Sequence, residues 1–157
     1  MKFSVCIKQV PDVNAPIQIK EGRLQQDTDR LILNAYDASA VEEALVLTDE
    51  HGGDVEVVLI GPDKGSETIR KALAMGASSG VHIKTETDSN WDSATYADIL
   101  GRFFEDHDYD VILSGKQSQD TDSGLAGSML AEKLDLPYIS NAVGIDYENE
   151  KMVVKRQ

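Results

Sequence analysis

Two hydrophobic periodicities exchange regularly along this chain, and no other feature restricts its fold as much. Phe3–Val10 sets Phe3, Val5 and Ile7 against Ser4, Cys6 and Lys8, a period of two that predicts a strand, and Pro11-Asp12 ends it. After Asn34, a favourable helix N-cap, Ala38, Val41, Ala44, Leu45 and Leu47 fall at helical spacing as far as the stop at Gly52-Gly53. Val55–Ile60 is a short apolar run that suits a buried strand, closed by Gly61-Pro62. Ser66–Met75 carries Ile69, Ala72 and Leu73 on one helical stripe and closes at Gly76. Gly80–Thr85 reads as a further strand. Asp92-Ser93 caps a helix bearing Tyr96, Ile99, Leu100 and Phe103. Asp110–Ser114 is another core strand, and a last helix runs through Leu125, Met129, Leu130 and Leu134 to Pro137.

Such alternation predicts an α/β fold: a mostly parallel sheet, right-handed crossovers and helices on both faces. Two hairpins lie outside this scheme as peripheral elements. One pairs Ile17–Lys20 with Arg23–Gln26 around Glu21-Gly22; the other pairs Val143–Tyr147 with Lys151–Lys155 around Glu148-Asn149-Glu150. With 157 residues, 41% of them hydrophobic, the chain suits one domain spanning 1–157. It ends on strand-like Met152–Gln157 with no closing element, which leads us to expect a fragment of a longer protein.

Charge and cysteine content narrow the function classes. The net charge of −13 reads as a solvated acidic surface, with adaptation to high salt as a variant. No basic stripe is available to displace counterions from nucleic acid or to hold an anionic membrane. No apolar run approaches the ~20 residues of a membrane span. The short apolar run at the N-terminus leads directly into Lys8-Gln9, unlike a signal peptide. One cysteine forms no intramolecular disulfide, so a reducing cytoplasm is the expected location.

In an open parallel sheet, ligands bind beyond the carboxyl ends of the strands. Here the loops at that edge start at Lys8, Gly61, Thr85 and Gly115. The segment from Gly115 to Ser128 is the most unusual. Ser123, Gly124, Ala126, Gly127 and Ser128 are small and sit where a helix begins, so backbone amides can approach an anion closely. The same residues also suit a simpler role, in which Asp122 or Ser123 caps the helix and the glycines permit tight packing. Asp120 and Asp122 lie two apart; such a pair can hold Mg²⁺, act as acid and base, or bond within the loop. His51, His82 and His107 are scattered and read as structural, and Cys6 reads as a buried, inert thiol. No nucleophile–base pair and no Walker-type Gly-Lys-Ser/Thr ending is present, since Gln117 follows Lys116. No catalytic residue and no metal site is therefore assigned.

Several segments, in order, resemble the beta subunit of electron transfer flavoproteins, including the nitrogen-fixation-associated type. They are Val5-Cys6-Ile7-Lys8-Gln9-Val10-Pro11-Asp12, Asn34-Ala35-Tyr36-Asp37 running into Ala40–Leu45, and Gly61-Pro62. Ile69–Ala77 and Gly115-Lys116-Gln117-Ser118-Gln119-Asp120-Thr121-Asp122 complete the set. The resemblance covers nearly the whole chain, whereas family members continue well beyond Gln157. It implies a Rossmann-like fold similar to adenine-nucleotide alpha hydrolases and universal stress proteins. It also implies a subunit without turnover of its own, paired with an alpha subunit that carries the redox flavin. Through the complete heterodimer such a subunit serves dehydrogenases or a quinone reductase.

The beta subunit of that family holds AMP, or FAD in electron-bifurcating members. By position, the nucleotide contacts implied here are Cys6, Asn34, Ala35, Tyr36, Asp37, Ile60, Gly61, Gly115, Gln117, Asp120, Asp122, Ser123, Gly124, Leu125, Ala126, Gly127 and Ser128. Backbone at Cys6 and Ile60 would read the adenine edge, Asp120 and Asp122 would order loop and ribose, and amides of Ser123–Gly127 would hold phosphate. Three positions depart from the family. Leu125 stands where Gln is frequent, Ser123 where bifurcating members often have Thr, and Ser78 replaces an Asp. The choice between AMP and FAD thus stays open. Two other readings compete: a stand-alone module similar to universal stress proteins, for which the spacing after Gly124-x-x-Gly127 is poor, and an adenylating enzyme, for which Pro11-Asp12-Val13 offers no matching loop.

Overall fold

A computed structural model describes residues 1–26, 30–86 and 91–157. Four parallel strands form its central sheet: β1 (Lys2–Ile7), β6 (Asp54–Gly61), β7 (Ser79–Lys84) and β8 (Val111–Ser114), in the order β7-β6-β1-β8. The register aligns Phe3 with Val55 and Val111, and Cys6 with Val58 and Ser114. The expected parallel α/β arrangement is therefore present, with its first strand at the centre.

Alternation along the strands divides the core into two faces. Phe3, Val5, Ile7, Val55, Val57 and Leu59 pack on α1 (Ala35–His51) and α2 (Gly65–Met75), through Val41, Ala44, Leu47, Ile69 and Ala72. Val58 and Ile60 face the other way, onto α3 (Ser93–Glu105) and α4 (Ala126–Lys133), through Ala97, Leu100, Phe104 and Leu130. Phe3 and Val5 are wholly buried. Each such side chain stabilises the fold by about 1.5–3 kcal/mol relative to exposure.

The expected first strand, Phe3–Val10, is interrupted. β1 stops at Ile7, and β2 (Gln9–Pro11) leaves the sheet to pair antiparallel with β5 (Leu31–Leu33). The hairpins form as expected: β3 (Ile17–Lys20) pairs with β4 (Arg23–Gln26), and β9 (Ala142–Glu148) with β10 (Lys151–Arg156). The second is not wholly peripheral. Ile145 and Met152 pack against the α1 face of the core, and the Ile145 N–H donates to Glu43 at 2.8 Å. The loop expected after Thr85 includes residues 87–90, which lie outside the described residues. Among the described residues no helix is long and apolar enough to cross a membrane.

The histidines serve packing. His82 Nε2 lies 2.9 Å from the Gly61 carbonyl, His51 meets Tyr147 edge-on, and His107 stacks on Phe103 at 4.1 Å between ring centres.

Candidate functional site

The carboxyl ends of β6, β1 and β8 open into one cleft, and a buried carboxylate organises it. One oxygen of Asp37, in the first turn of α1, accepts the Lys8 N–H at 2.7 Å; the other accepts the Gly115 N–H at 3.2 Å. The Lys8 carbonyl in turn accepts the Asn34 N–H at 3.0 Å. These bonds draw the backbone at Lys8 away from the sheet, which is why β1 ends there. They also join the ends of two neighbouring strands to one helix start. A Cβ at Gly115 would lie 2.2 Å from Asp37 Oδ1, so only glycine admits this approach. Burial pushes Asp37 up to about 7, even though bonds from Asn34, Lys8 and Gly115 and the Lys8 charge favour the carboxylate.

Asn34 occupies the N-cap position of α1, but its side chain makes no cap bond there. Its Nδ2 donates to the Gln117 carbonyl at 2.9 Å, and its Oδ1 accepts the Gln119 N–H at 3.1 Å. The free amide at the helix start is met from far along the chain instead: Ala35 N–H donates to Gln119 Oε1 at 3.2 Å. Lys8 fastens the same loop from the other side. Its Nζ bonds Ser118 Oγ at 3.0 Å and both oxygens of Asp120 at 3.0 and 2.9 Å. Burial alone would raise the Asp120 carboxyl, but the bonds from Ser118 and Lys8 outweigh it and hold the group below its usual range. Asp122, with a left-handed φ of 58°, bonds the Gln117 amide. The two acids therefore bond separate partners, Lys8 and Ser118 for Asp120 and Gln117 for Asp122, rather than converging on one ion.

At the start of α4 the capping expectation is corrected. Leu125, not Asp122 or Ser123, occupies the N-cap position, and no side chain caps the helix. Asp122 is engaged by Gln117, and Ser123 Oγ lies 2.7 Å from Ser93 Oγ at the start of α3. Gly127 packs so closely that a Cβ would lie 2.6 Å from Ser114 Oγ.

The cleft between these elements is lined by ten of the expected residues: Cys6, Asn34, Asp37, Ile60, Gly115, Gln117, Ser123, Gly124, Ala126 and Gly127. The other seven lie outside its lining. Ala35 and Tyr36 flank it on α1, and Tyr36 is exposed. The Gly61 carbonyl is turned toward His82 and the Thr85 N–H. Asp120 bonds Lys8 and Ser118, and Asp122 bonds Gln117. Leu125 is exposed to solvent, and Ser128 Oγ donates to the Leu125 carbonyl at 2.9 Å.

Residues beyond that set also line the cleft, notably Lys8, Val58, Trp91, Ser93, Tyr96 and Leu100. One sequence signal could have found those on α3, namely Ser93, Tyr96 and Leu100. Asp92-Ser93 begins a helix directly after a core strand, which places the start of α3 at the same edge of the sheet. Asp92 does cap α3, accepting from the Thr95 N–H at 2.8 Å. Burial pushes the Cys6 thiol up to about 12, with the neighbouring Asp37 charge adding to the effect, so the group stays a thiol.

Comparison with known proteins identifies a family. A family model described as the electron transfer flavoprotein domain matches residues 23–157. The chain is 35% identical to the electron transfer flavoprotein subunit beta of Bacillus subtilis, over 98% of its own length and 62% of the relative's. It is 36% identical to the caffeyl-CoA reductase-Etf complex subunit CarD of Acetobacterium woodii, over 100% and 61%. Protein FixA of Azotobacter vinelandii is 34% identical, over 100% and 59%. The chain spans about three fifths of the length of the curated relatives it matches. On the family match and these identities together, the chain belongs to the electron transfer flavoprotein family.

Proposed function

We propose that this chain is the nucleotide-holding portion of an electron transfer flavoprotein beta subunit, and that its cleft takes AMP or FAD. The observation that carries the reading is convergence: Cys6 and Ile60 at strand ends, Asn34 and Asp37 at the start of α1, and Gly115–Gly127 all border one cleft. Its donor set suits a nucleotide. Uncapped amides at the start of α4 sit among Ser123, Gly124, Ala126 and Gly127, where small side chains leave room for phosphate. Lys8 is the one cationic side chain among the described lining residues, and Asp120 already pairs with it. Phosphate would therefore be held mainly by backbone amides. The aliphatic residues Val58, Ile60 and Leu100 supply a surface for a base.

FAD, when bound, would supply a centre that accepts and passes electrons; AMP would be structural. The chain's own residues hold and orient: Asp37 fixes the strand ends, and Lys8 and Asn34 fix the loop. The relatives' names as subunits support a role within an electron transfer complex. In that role the chain would pair with an alpha subunit, and the complete heterodimer would serve dehydrogenases or a quinone reductase. A reducing cytoplasm suits the single thiol. The test is to denature the purified chain and identify the released nucleotide by mass and absorbance. AMP or FAD is expected at up to one per chain. A chain that is empty as isolated, and that takes up neither nucleotide when they are added, refutes the reading.

A further inference from the structure

One wall of the cleft is aromatic, and neither the family positions nor the loop chemistry accounts for it. Trp91 and Tyr96 flank the start of α3, and both line the cleft beside Val58, Ile60 and Leu100. Their rings meet edge to face, 5.7 Å apart at 61°, which fixes each against the other. Both also pack on the Val58–Leu100–Phe104 core, so the wall is backed by protein. Two bonds hold its position. Asp92 accepts the Thr95 N–H at 2.8 Å, setting the turn between the two aromatics, and Ser93 Oγ lies 2.7 Å from Ser123 Oγ on the opposite wall. Lys8 Nζ sits 5.6 Å from the centre of the Tyr96 ring, so one face of that ring looks toward the strand ends.

The cleft is thus two-sided. The wall at the start of α4 is small, polar and rich in amides; the wall at the start of α3 is aromatic and aliphatic. A ligand that satisfies both has an anionic group and a flat heteroaromatic ring on one short scaffold. We propose that Trp91 and Tyr96 are the base-recognition residues of this cleft: they seat the planar ring of the bound nucleotide while its phosphate lies at the start of α4. The inference rests on the nucleotide reading above and assigns the ring end of that site. Stacking area then favours larger rings.

The chain contains one tryptophan, so its emission reports this wall alone. The experiment uses the 157-residue chain stripped of nucleotide, titrated with AMP, FAD and ribose 5-phosphate. Binding is followed by equilibrium dialysis and, in parallel, by Trp91 fluorescence. AMP should quench the emission with the same midpoint that dialysis gives. Trp91→Leu should weaken AMP about tenfold, the loss expected when one aromatic leaves a stacked base, while Trp91→Phe keeps most of the affinity. Tyr96→Leu should weaken AMP in the same direction. Ribose 5-phosphate, which has no ring, should bind wild type and Trp91→Leu alike. An equal loss for ribose 5-phosphate makes Trp91 merely structural and overturns the proposal. So does AMP binding that leaves the emission unmoved, with undiminished affinity in Trp91→Leu; the nucleotide reading then survives without this wall. Absence of AMP and FAD binding to wild type in dialysis overturns both.

Discussion

Asp37→Asn probes the group on which the cleft depends. The Asp37 carboxylate is buried and uses one oxygen for Lys8 N–H and the other for Gly115 N–H. In the folded protein its pKa stands at about 7; in the unfolded chain it reverts to the ordinary carboxyl value of 3.8. The folded state therefore binds a proton that the unfolded state releases between those values. Stability is greatest below the unfolded pKa and declines as pH rises, until the loss is complete just above the folded pKa. Between about pH 5.5 and about pH 7.5 this linkage removes about 2 kcal/mol. Asparagine cannot titrate, so the variant lacks that slope. It also offers one acceptor to two amides, leaving one N–H facing an NH₂ group, at a cost of about 1–3 kcal/mol. Urea unfolding of both proteins across this range is the assay. The wild type should lose stability relative to Asp37→Asn as pH rises. Parallel stability curves would refute the reasoning, because they would mean that the buried carboxyl carries no excess proton.

Lys8→Gln and Asp120→Asn should each cost about 1 kcal/mol, and the double variant less than their sum, because both remove one partly shielded ion pair; a double-mutant cycle by urea denaturation that is additive counts against the latch. Gly127→Ala should destabilise by about 1–3 kcal/mol, because its Cβ meets Ser114 Oγ at 2.6 Å, and Ser114→Ala should recover most of the loss in thermal melts. Failure of that rescue would locate the crowding elsewhere. Cys6 should resist iodoacetamide at neutral pH in the folded protein and react readily in urea, since its thiolate is scarce with a pKa of about 12. Equal alkylation rates would contradict its environment.

The sheet was legible in the sequence because period and punctuation coincide. Phe3, Val5 and Ile7 alternate, Val55–Ile60 is continuously apolar, and glycines or Pro-containing pairs mark the strand ends. The break at Lys8 was not legible, since it follows from a carboxylate of α1 reaching its N–H. Asn34 carried the right residue type for an N-cap and still bonds elsewhere, because a partner at Gln117 and Gln119 competes with the helix amides. Ser123 and Asp122 repeat that lesson at α4. The glycine-rich loop was found by composition, but the wall opposite it was not. Tyr96 read as one position of a helical stripe and Trp91 carried no signal of its own, and only the packing of α3 beside α4 brings them to the same cleft as Ser123 and Gly124.

The central position of β1 has a consequence for the order of assembly. Bonds around Asp37 and Lys8 close loops of 29, 78 and 112 residues in sequence, and Asn34 adds one of 83. Each closure costs chain entropy before any contact repays it, and distant closures slow folding. β1, β6 and β7 can pair as soon as they leave the ribosome, but the cleft has no second wall until β8 docks and α4 follows. The cleft is therefore complete only with the last closures, and any ligand that needs both walls binds only a chain that has finished folding.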